Sequence, residues 1–459
     1  MGERLTTDRR LWRLILASAL AMFLVNLDFF AVQVALPDMA RDLDTDINAL
    51  QWVISGYMLS LAAFLIVGGR LADILGRKTW LILGTAIFGL SSLIGGFATS
   101  GEILIGMRIL QGVGAAVLMP VCLAVVTNAF PAAKVQRAIG LVFGIAAIGQ
   151  ALGPLIGGVL TELASWRWVL WLNVPVAVLV IFLTVTSVRQ SFDDSEGRKI
   201  DWGGLVLIVL SISLFTLGID MAADWGWIAV GTLGLIAVGL LGFGLFIFWE
   251  NRARPPLLDL SLFKIREFSV MTAAGAVGNS AGPAAIFLST VYLQTGRGFS
   301  PIEAGVAFLL FSGGVAFTSQ IAGRLEAYAS WKVMVSALLI GGLGLVAMGV
   351  LIETLPLYLI ASFFGGAGAG LAWTFASVVT QSVAPANKAG AASGVVLTIL
   401  IGLGGVATAV AATLIAGGGG DGATVAPILL GFGVLELVTI PFVVIFGREP
   451  HKLPARAAT

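Results

Sequence analysis

Apolar runs alternate with short polar breaks along the whole chain, at 12–36, 50–72, 80–98, 103–127, 137–160, 167–187, 202–221, 228–249, 268–292, 303–325, 331–351, 356–380, 388–416 and 425–446. About 20 apolar residues cross a bilayer as a helix, and these runs are of that length. Backbone groups in lipid must be hydrogen-bonded within the segment, so each run predicts a membrane helix and the chain predicts fourteen. The first run follows basic residues, as a signal peptide does. It is too long for one, no small-residue cleavage site closes it, and Asp28 interrupts it. It reads as a retained first helix.

The polar breaks set an orientation. With the N-terminus in the cytoplasm, the inside segments hold 22 of the 26 Lys and Arg residues. The outside loops hold Arg41, Arg167 and Arg297, and Arg108 lies within a span. Both termini are therefore expected to be cytoplasmic. Eleven of the twelve tryptophans fall near span ends, as an interfacial belt should, and Trp373 is the exception.

Two inside segments, 188–201 and 250–267, are longer than the rest and bracket spans 7 and 8. The chain divides as six, two and six: an N-terminal six-helix bundle at 1–190, a two-helix insertion at 191–262 and a C-terminal six-helix bundle at 263–459. Gly69-Arg70-Leu71 at the inner end of span 2 recurs as Gly323-Arg324-Leu325 at the inner end of span 10. Two similar halves around a central site are a common transporter plan.

Composition agrees. The chain is 58% hydrophobic and 11% charged, with mean hydropathy +1.01, against about 25% charged residues in soluble domains. It is an integral, multi-pass membrane protein. A net charge of +1 points to no nucleic-acid partner. One cysteine, Cys122, permits no internal disulfide. No phosphate-binding GxxxxGK[ST] loop, Cys/His metal cluster or Ser-His pair within the membrane is present, and the one histidine, His451, lies in the C-terminal tail. Neither an enzyme, a metal site nor a cofactor is expected.

Candidate chemistry lies in the exceptions to apolarity. Asp28 is about 12 Å from the outer end of span 1 at 1.5 Å per residue, and Arg108 is about 8 Å from the outer end of span 4. Intramembrane charges are expensive and usually functional. Their matching depth suggests a pair, either a static ion pair or a switch in which protonation of Asp28 or a cationic substrate frees Arg108. Gln111 shares a helix face with Arg108. Glu436 sits near the middle of span 14, either as a second proton-coupling acid or as a pairing, lipid-bordering one. Asn26 and Gln33 share a face of span 1 turned away from Asp28. With Asn279 and Tyr292 in span 9 and Trp373 and Phe375 in span 12 they are candidate cavity lining, or ordinary packing.

The stretch GRLADILGRKTWL, Gly69–Leu81, resembles the signature cytoplasmic loop of the major facilitator superfamily, carried by Gly69, Asp73, Gly76, Arg77 and Lys78. RILQGVGAA in span 4 resembles its second motif. GIAAIGQALGPLIGG in span 5 resembles the antiporter motif, through Gly149, Gly153, Pro154, Gly157 and Gly158. With LDFFAVQVALP, SWRWVLWLNVPV and PPLLDLSLF, the chain is similar to the fourteen-span drug:proton antiporters. Its GGGGDGAT loop, Gly417–Thr424, is shorter than the external loop of several members, and no adaptor-docking domain is seen.

The resemblance implies an all-α major facilitator fold, two six-helix bundles plus two additional helices, in the cytoplasmic membrane. It implies a proton-coupled exporter of hydrophobic, often cationic compounds, driven by the proton gradient without a cofactor and functional as a monomer. Export of an endogenous metabolite, amino acid or lipid is the alternative. A proton-driven importer fits the span 5 motif less well, and a non-transporting receptor fits the 69–81 loop and the charged pair less well.

Overall fold

The structure, a computed structural model, describes residues 2–46, 50–130, 132–192, 201–253, 260–322, 325, 328–384, 389–415 and 420–448. Gly323 and Arg324 of the short repeat, the first residues of PPLLDLSLF and part of the GGGG loop lie outside them.

Fourteen long helices form, and no strand is found among the described residues. They are α1 (Gly2–Asp42), α2 (Trp52–Leu75), α3 (Arg77–Gly95), α4 (Gly101–Ala129), α5 (Ala132–Leu163), α6 (Asn173–Ser187), α7 (Trp202–Asp220), α8 (Val230–Glu250), α9 (Arg266–Val291), α10 (Pro301–Ala322), α11 (Ser330–Val350), α12 (Leu355–Val383), α13 (Ala389–Ile415) and α14 (Gly422–Gly447). A short helix, Arg167–Trp171, precedes α6. The start of α1 meets the end of α6, where Arg10 Nε donates to the Ser187 carbonyl at 2.8 Å; the opposite face of the helices is called here the far face.

Among the described residues thirteen of these helices, α6 together with the short helix before it, are long and apolar enough to cross a membrane. The other, α9, has the length but carries Gly, Ser, Asn and Thr throughout. Nineteen of its 26 residues are buried, so it is shielded from lipid by protein and its polar groups cost less there. At the other extreme α8 is mostly exposed, with 17% of its apolar stretch buried, and correspondingly has a uniformly apolar surface.

The packing repeats with an offset of eight helices. In the first bundle α1 packs on α5 and α6, α2 on α4, and α3 on α4 and α6; in the second α9 packs on α13 and α14, α10 on α12, and α11 on α12 and α14. The two seams between bundles obey the same relation, α2 with α13 and α5 with α10. The inserted α7 and α8 pack mainly on each other, and α7 also touches α2 and α13, flanking one seam.

Pro37 does not end α1, which runs past the apolar run to Asp42. A proline loosens the preceding turn of a helix, and here the backbone is met from the other bundle. Gln294 Nε2 donates to the Val34 carbonyl at 2.8 Å. Asp42 at the end of α1 accepts from Trp166 Nε1 at 3.0 Å and from Arg167, which gives the SWRW stretch a structural task. Around this end a single apolar cluster draws on both bundles, including Phe30, Val34, Trp166, Phe287, Leu293 and Phe308. The far face is closed.

Candidate functional site

Asp28 and Arg108 meet. The α1 carboxylate accepts from Arg108 Nη1 of α4, and each residue is 1% exposed. The contact is the centre of a larger network. Arg108 Nη1 also donates to Gln111 Oε1 at 2.7 Å, and Arg108 Nε to the Val53 carbonyl of α2 at 3.0 Å. The guanidinium carbon lies 4.3 Å from the centre of the Tyr57 ring, a cation–π position.

The other carboxylate oxygen, Asp28 Oδ1, accepts from Asn173 Nδ2 of α6 at 2.5 Å. That amide also donates to Ser92 Oγ of α3 at 2.7 Å, and Gln111 Nε2 donates to the same hydroxyl at 3.2 Å. Ser92 in turn donates to the Leu170 carbonyl at 3.0 Å. Five helices of the first bundle thus converge on one buried polar cluster. A buried ion pair is tolerable when hydrogen bonds satisfy its remaining lone pairs and protons, and here they nearly do. Arg108 Nη2, Asn173 Oδ1 and the Tyr57 hydroxyl are buried without a hydrogen-bond partner.

Of this cluster, sequence reasoning singled out Asp28, Arg108 and Gln111. Asn173, Ser92 and Tyr57 went unassigned. Asn173 lies within SWRWVLWLNVPV, where a polar amide inside an apolar run was the available signal.

The other candidates lie elsewhere. Asn26 is half-buried and donates to the Ala146 carbonyl of α5 at 3.2 Å. Gln33 is buried and bonds its own helix at Phe29. Asn279 donates to the Leu400 carbonyl of α13 at 3.3 Å. Tyr292 is buried, its hydroxyl donating to the Ile352 carbonyl at 2.6 Å. Phe375 is buried in the second bundle's own core. Trp373 is half-buried and packs against apolar clusters of both bundles. Glu436 is 1% exposed, between α11, α12 and α14.

The span 5 glycines are explained by close helix approach. A Cβ on Gly149 would lie 2.6 Å from the Phe23 carbonyl, one on Gly153 would lie 2.8 Å from Phe30 Cβ, and one on Gly157 would strike the Ala31 carbonyl. This face of α5 receives α1. Gly158, the next residue, faces the other bundle, where a Cβ would strike the Pro301 carbonyl. Pro154 lies at the same seam, its carbonyl 2.6 Å from where a Cβ on Gly305 of α10 would sit.

The 69–81 loop is a tight turn. Gly76 takes φ +111° between α2 and α3, a region closed to side chains. Arg77 Nε donates to Asp73 Oδ1 at 2.8 Å. Gly69 lies against Pro120 of α4, with a Cβ position 3.3 Å from it. The Lys78 backbone N–H donates to Gln190 Oε1 at 2.9 Å, Arg77 N–H to the Ser191 carbonyl at 3.0 Å, and Lys78 Nζ to the Val185 carbonyl at 2.9 Å. The loop is docked on the segment that leaves α6.

The family profile of the Major Facilitator Superfamily matches residues 18–409. The multidrug resistance protein Stp of Mycobacterium tuberculosis is 33% identical over 389 residues, covering 83% of this chain and 72% of its own. The cephamycin export protein CmcT of Amycolatopsis lactamdurans is 34% identical over 411 residues, with 86% and 83% covered. The multidrug efflux pump LfrA of Mycolicibacterium smegmatis is 32% identical over 397 residues, with 85% and 78% covered. A crystal structure of a D-xylose-proton symporter shares the fold, with TM-score 0.69 at 13% identity over 95% of this chain and 98% of that one. Motif, architecture and relatives agree: this chain is a multi-pass membrane protein of the Major Facilitator Superfamily.

Proposed function

We propose that the protein is a proton-coupled exporter of hydrophobic, often cationic compounds, working by alternating access between two six-helix bundles. The observation that carries the coupling is the buried Asp28–Arg108 pair, held by Asn173 and Gln111. Export is supported by relatives that are themselves named as multidrug and antibiotic efflux proteins, and the charge bias supports cytoplasmic termini.

On this reading the far face is the outer one and the conformation is closed to the outside. Asp28 is the proton-loading group. With Asp28 charged, Arg108 is neutralised and the first bundle is locked around the pair. A proton arriving at Asp28 removes the charge that holds the guanidinium, which keeps its bonds to Val53 and Gln111. The change in pairing shifts the balance between the two bundle arrangements, and no ATP is used. The Gly76 turn, tied to Gln190 and Ser191, carries motion of α2 and α3 to the strand of chain entering the insertion.

Inverted vesicles with an imposed proton gradient and a fluorescent cation test this. Asp28→Asn should abolish gradient-driven uptake, and uptake with coupling intact would refute the assignment. Export of a compound made by the host is the second reading, favoured by the relatives named for export of cephamycin and of tetracenomycin C. A substrate screen in a sensitive strain separates the two.

A further inference from the structure

Glu436 is the one buried acid of the second bundle that no described residue pairs or hydrogen-bonds. It is 1% exposed, and its Oε2 is buried without a partner. The carboxyl group fits a slot of glycines. A Cβ on Gly341 of α11 would strike it, and Gly341 itself abuts the Gly368 backbone of α12. Glycines stand at both positions beside which the acid enters.

The surrounding elements bring no counter-charge. The helices packed on α14 are α11, α9 and, more lightly, α13 and the turn 292–296. Their charged groups are Lys332 of α11 and Arg266 and Glu267 of α9, with none on the described part of α13 or on α12. Lys332 and Arg448 lie over Trp331, and Arg266 faces Phe446. Phe446 is ten residues from Glu436, about 15 Å along the helix. The titratable Tyr292 and Tyr358 hydroxyls are bonded to Ile352 and Ser289.

The position has a counterpart. The first bundle gathers Ser92, Gln111 and Asn173 where α3, α4 and α6 meet. The second places Glu436 where α11, α12 and α14 meet, the helices related to those three by the offset of eight. A polar site in each bundle occupies the same helix triple.

An uncompensated carboxylate in such a place costs several kcal/mol, whereas the neutral acid needs no counter-ion. We propose that Glu436 is a second proton-binding site, occupied by a proton while the far face is closed, and that it gives up this proton when α14 moves away from the Gly341–Gly368 slot. The proposal deepens the coupling reading, but its first test is independent of transport. Infrared spectra of the purified protein at neutral pH should show a protonated-carboxyl C=O stretch that is lost in Glu436→Gln and that fades in the wild type as pH rises. Identical spectra in this region for wild type and Glu436→Gln would overturn occupancy. In proteoliposomes, the variant should move fewer protons per substrate than the wild type. An unchanged ratio with the band present would overturn the coupling role while leaving Asp28 untouched, and loss of coupling in Asp28→Asn alone would assign the whole proton traffic to the first bundle.

Discussion

The Glu162 carboxylate, at the far end of α5, accepts the Ile302 backbone N–H of α10 at 3.0 Å across the seam between bundles. Ile302 is in the first turn of α10, where N–H groups have no partner in their own helix and negative charge is favoured. One bundle therefore caps a helix of the other. The carboxylate is exposed, so water competes for it and the contact adds only a modest bias toward the closed far face. Glu162→Ala should remove that bias. In a Cys122→Ala background, spin labels at Leu163→Cys and Leu357→Cys, both exposed, would report a longer distance between bundles. An unchanged distance distribution would assign closure to the apolar contacts alone.

Gly158 and Gly305 face the same seam from opposite sides. Each lets a helix approach the other's backbone, and the atoms met are carbonyls and Cα atoms, which cannot swing aside. Overpacking a tight contact costs about 1–3 kcal/mol. Gly158→Val should hold the far face open and slow turnover, with the same label pair reporting the change. Gly144, on the same helix with open space around its Cβ position, should tolerate Ala with little effect on either measurement.

The Asp28–Arg108 pair sets up a thermodynamic cycle. Removing one member leaves the other buried and uncompensated, a loss of about 3–5 kcal/mol. Asp28→Asn and Arg108→Gln should each lower the unfolding temperature in detergent, and the double variant should recover part of the loss. Additive losses would mean that the charges do not act on each other. Recovered stability without recovered transport would separate the structural task of the pair from its part in coupling.

Sequence reading reached the helices and the depth of the charges, because lipid imposes a length and a penalty that composition reports directly. Asp28 and Arg108 were paired from depth alone. What stayed hidden depends on how helices face one another. Asn173 is an ordinary amide near a helix start until α6 sets it against α1 and α3. Glu162 looks like a loop acid until α10 presents its first turn. Pro37 marks an end to the apolar run, yet α1 continues to Asp42, and a side chain 260 positions away, Gln294, bonds the Val34 carbonyl just before the proline. Gln190 lies 112 positions from Lys78, and nothing in either residue announces the other.

Gly76 was legible as part of a motif, and the structure adds its cost. At φ +111° a side chain is strained by about 1–3 kcal/mol, and a Cβ would also strike the Gln190 amide. Gly76→Ala should therefore destabilise the folded protein and loosen the 69–81 loop from the segment after α6. Faster proteolysis near residue 190, read by mass spectrometry, is the expected sign. Gln190→Ala makes room for the Cβ but leaves φ unchanged and removes the acceptor of the Lys78 N–H, so it should rescue at most part of the loss. Full rescue would mean that the steric contact, and not the backbone conformation, makes glycine necessary.

Asn173 is the residue on which the buried cluster depends without being charged. Its amide group spends one N–H on Asp28 and one on Ser92, and so joins the charged half of the network to the neutral half. Asn173→Ala leaves Asp28 Oδ1 and the Ser92 hydroxyl each short of a donor in a site closed to solvent. A buried group deprived of its partner costs about 1–3 kcal/mol, so the variant should unfold at lower temperature. Asn173→Asp makes a sharper comparison, since it replaces the donor with a second carboxyl beside Asp28. Two carboxylates cannot both be charged next to one guanidinium at low cost, so Asn173→Asp should take up an additional proton on folding and lose gradient-driven transport at neutral pH. Lowering the pH should restore part of its stability but not that of Asn173→Ala, and thermal unfolding of the two variants across a pH series would show it. Parallel profiles for the two would place Asn173 outside the network that holds Asp28.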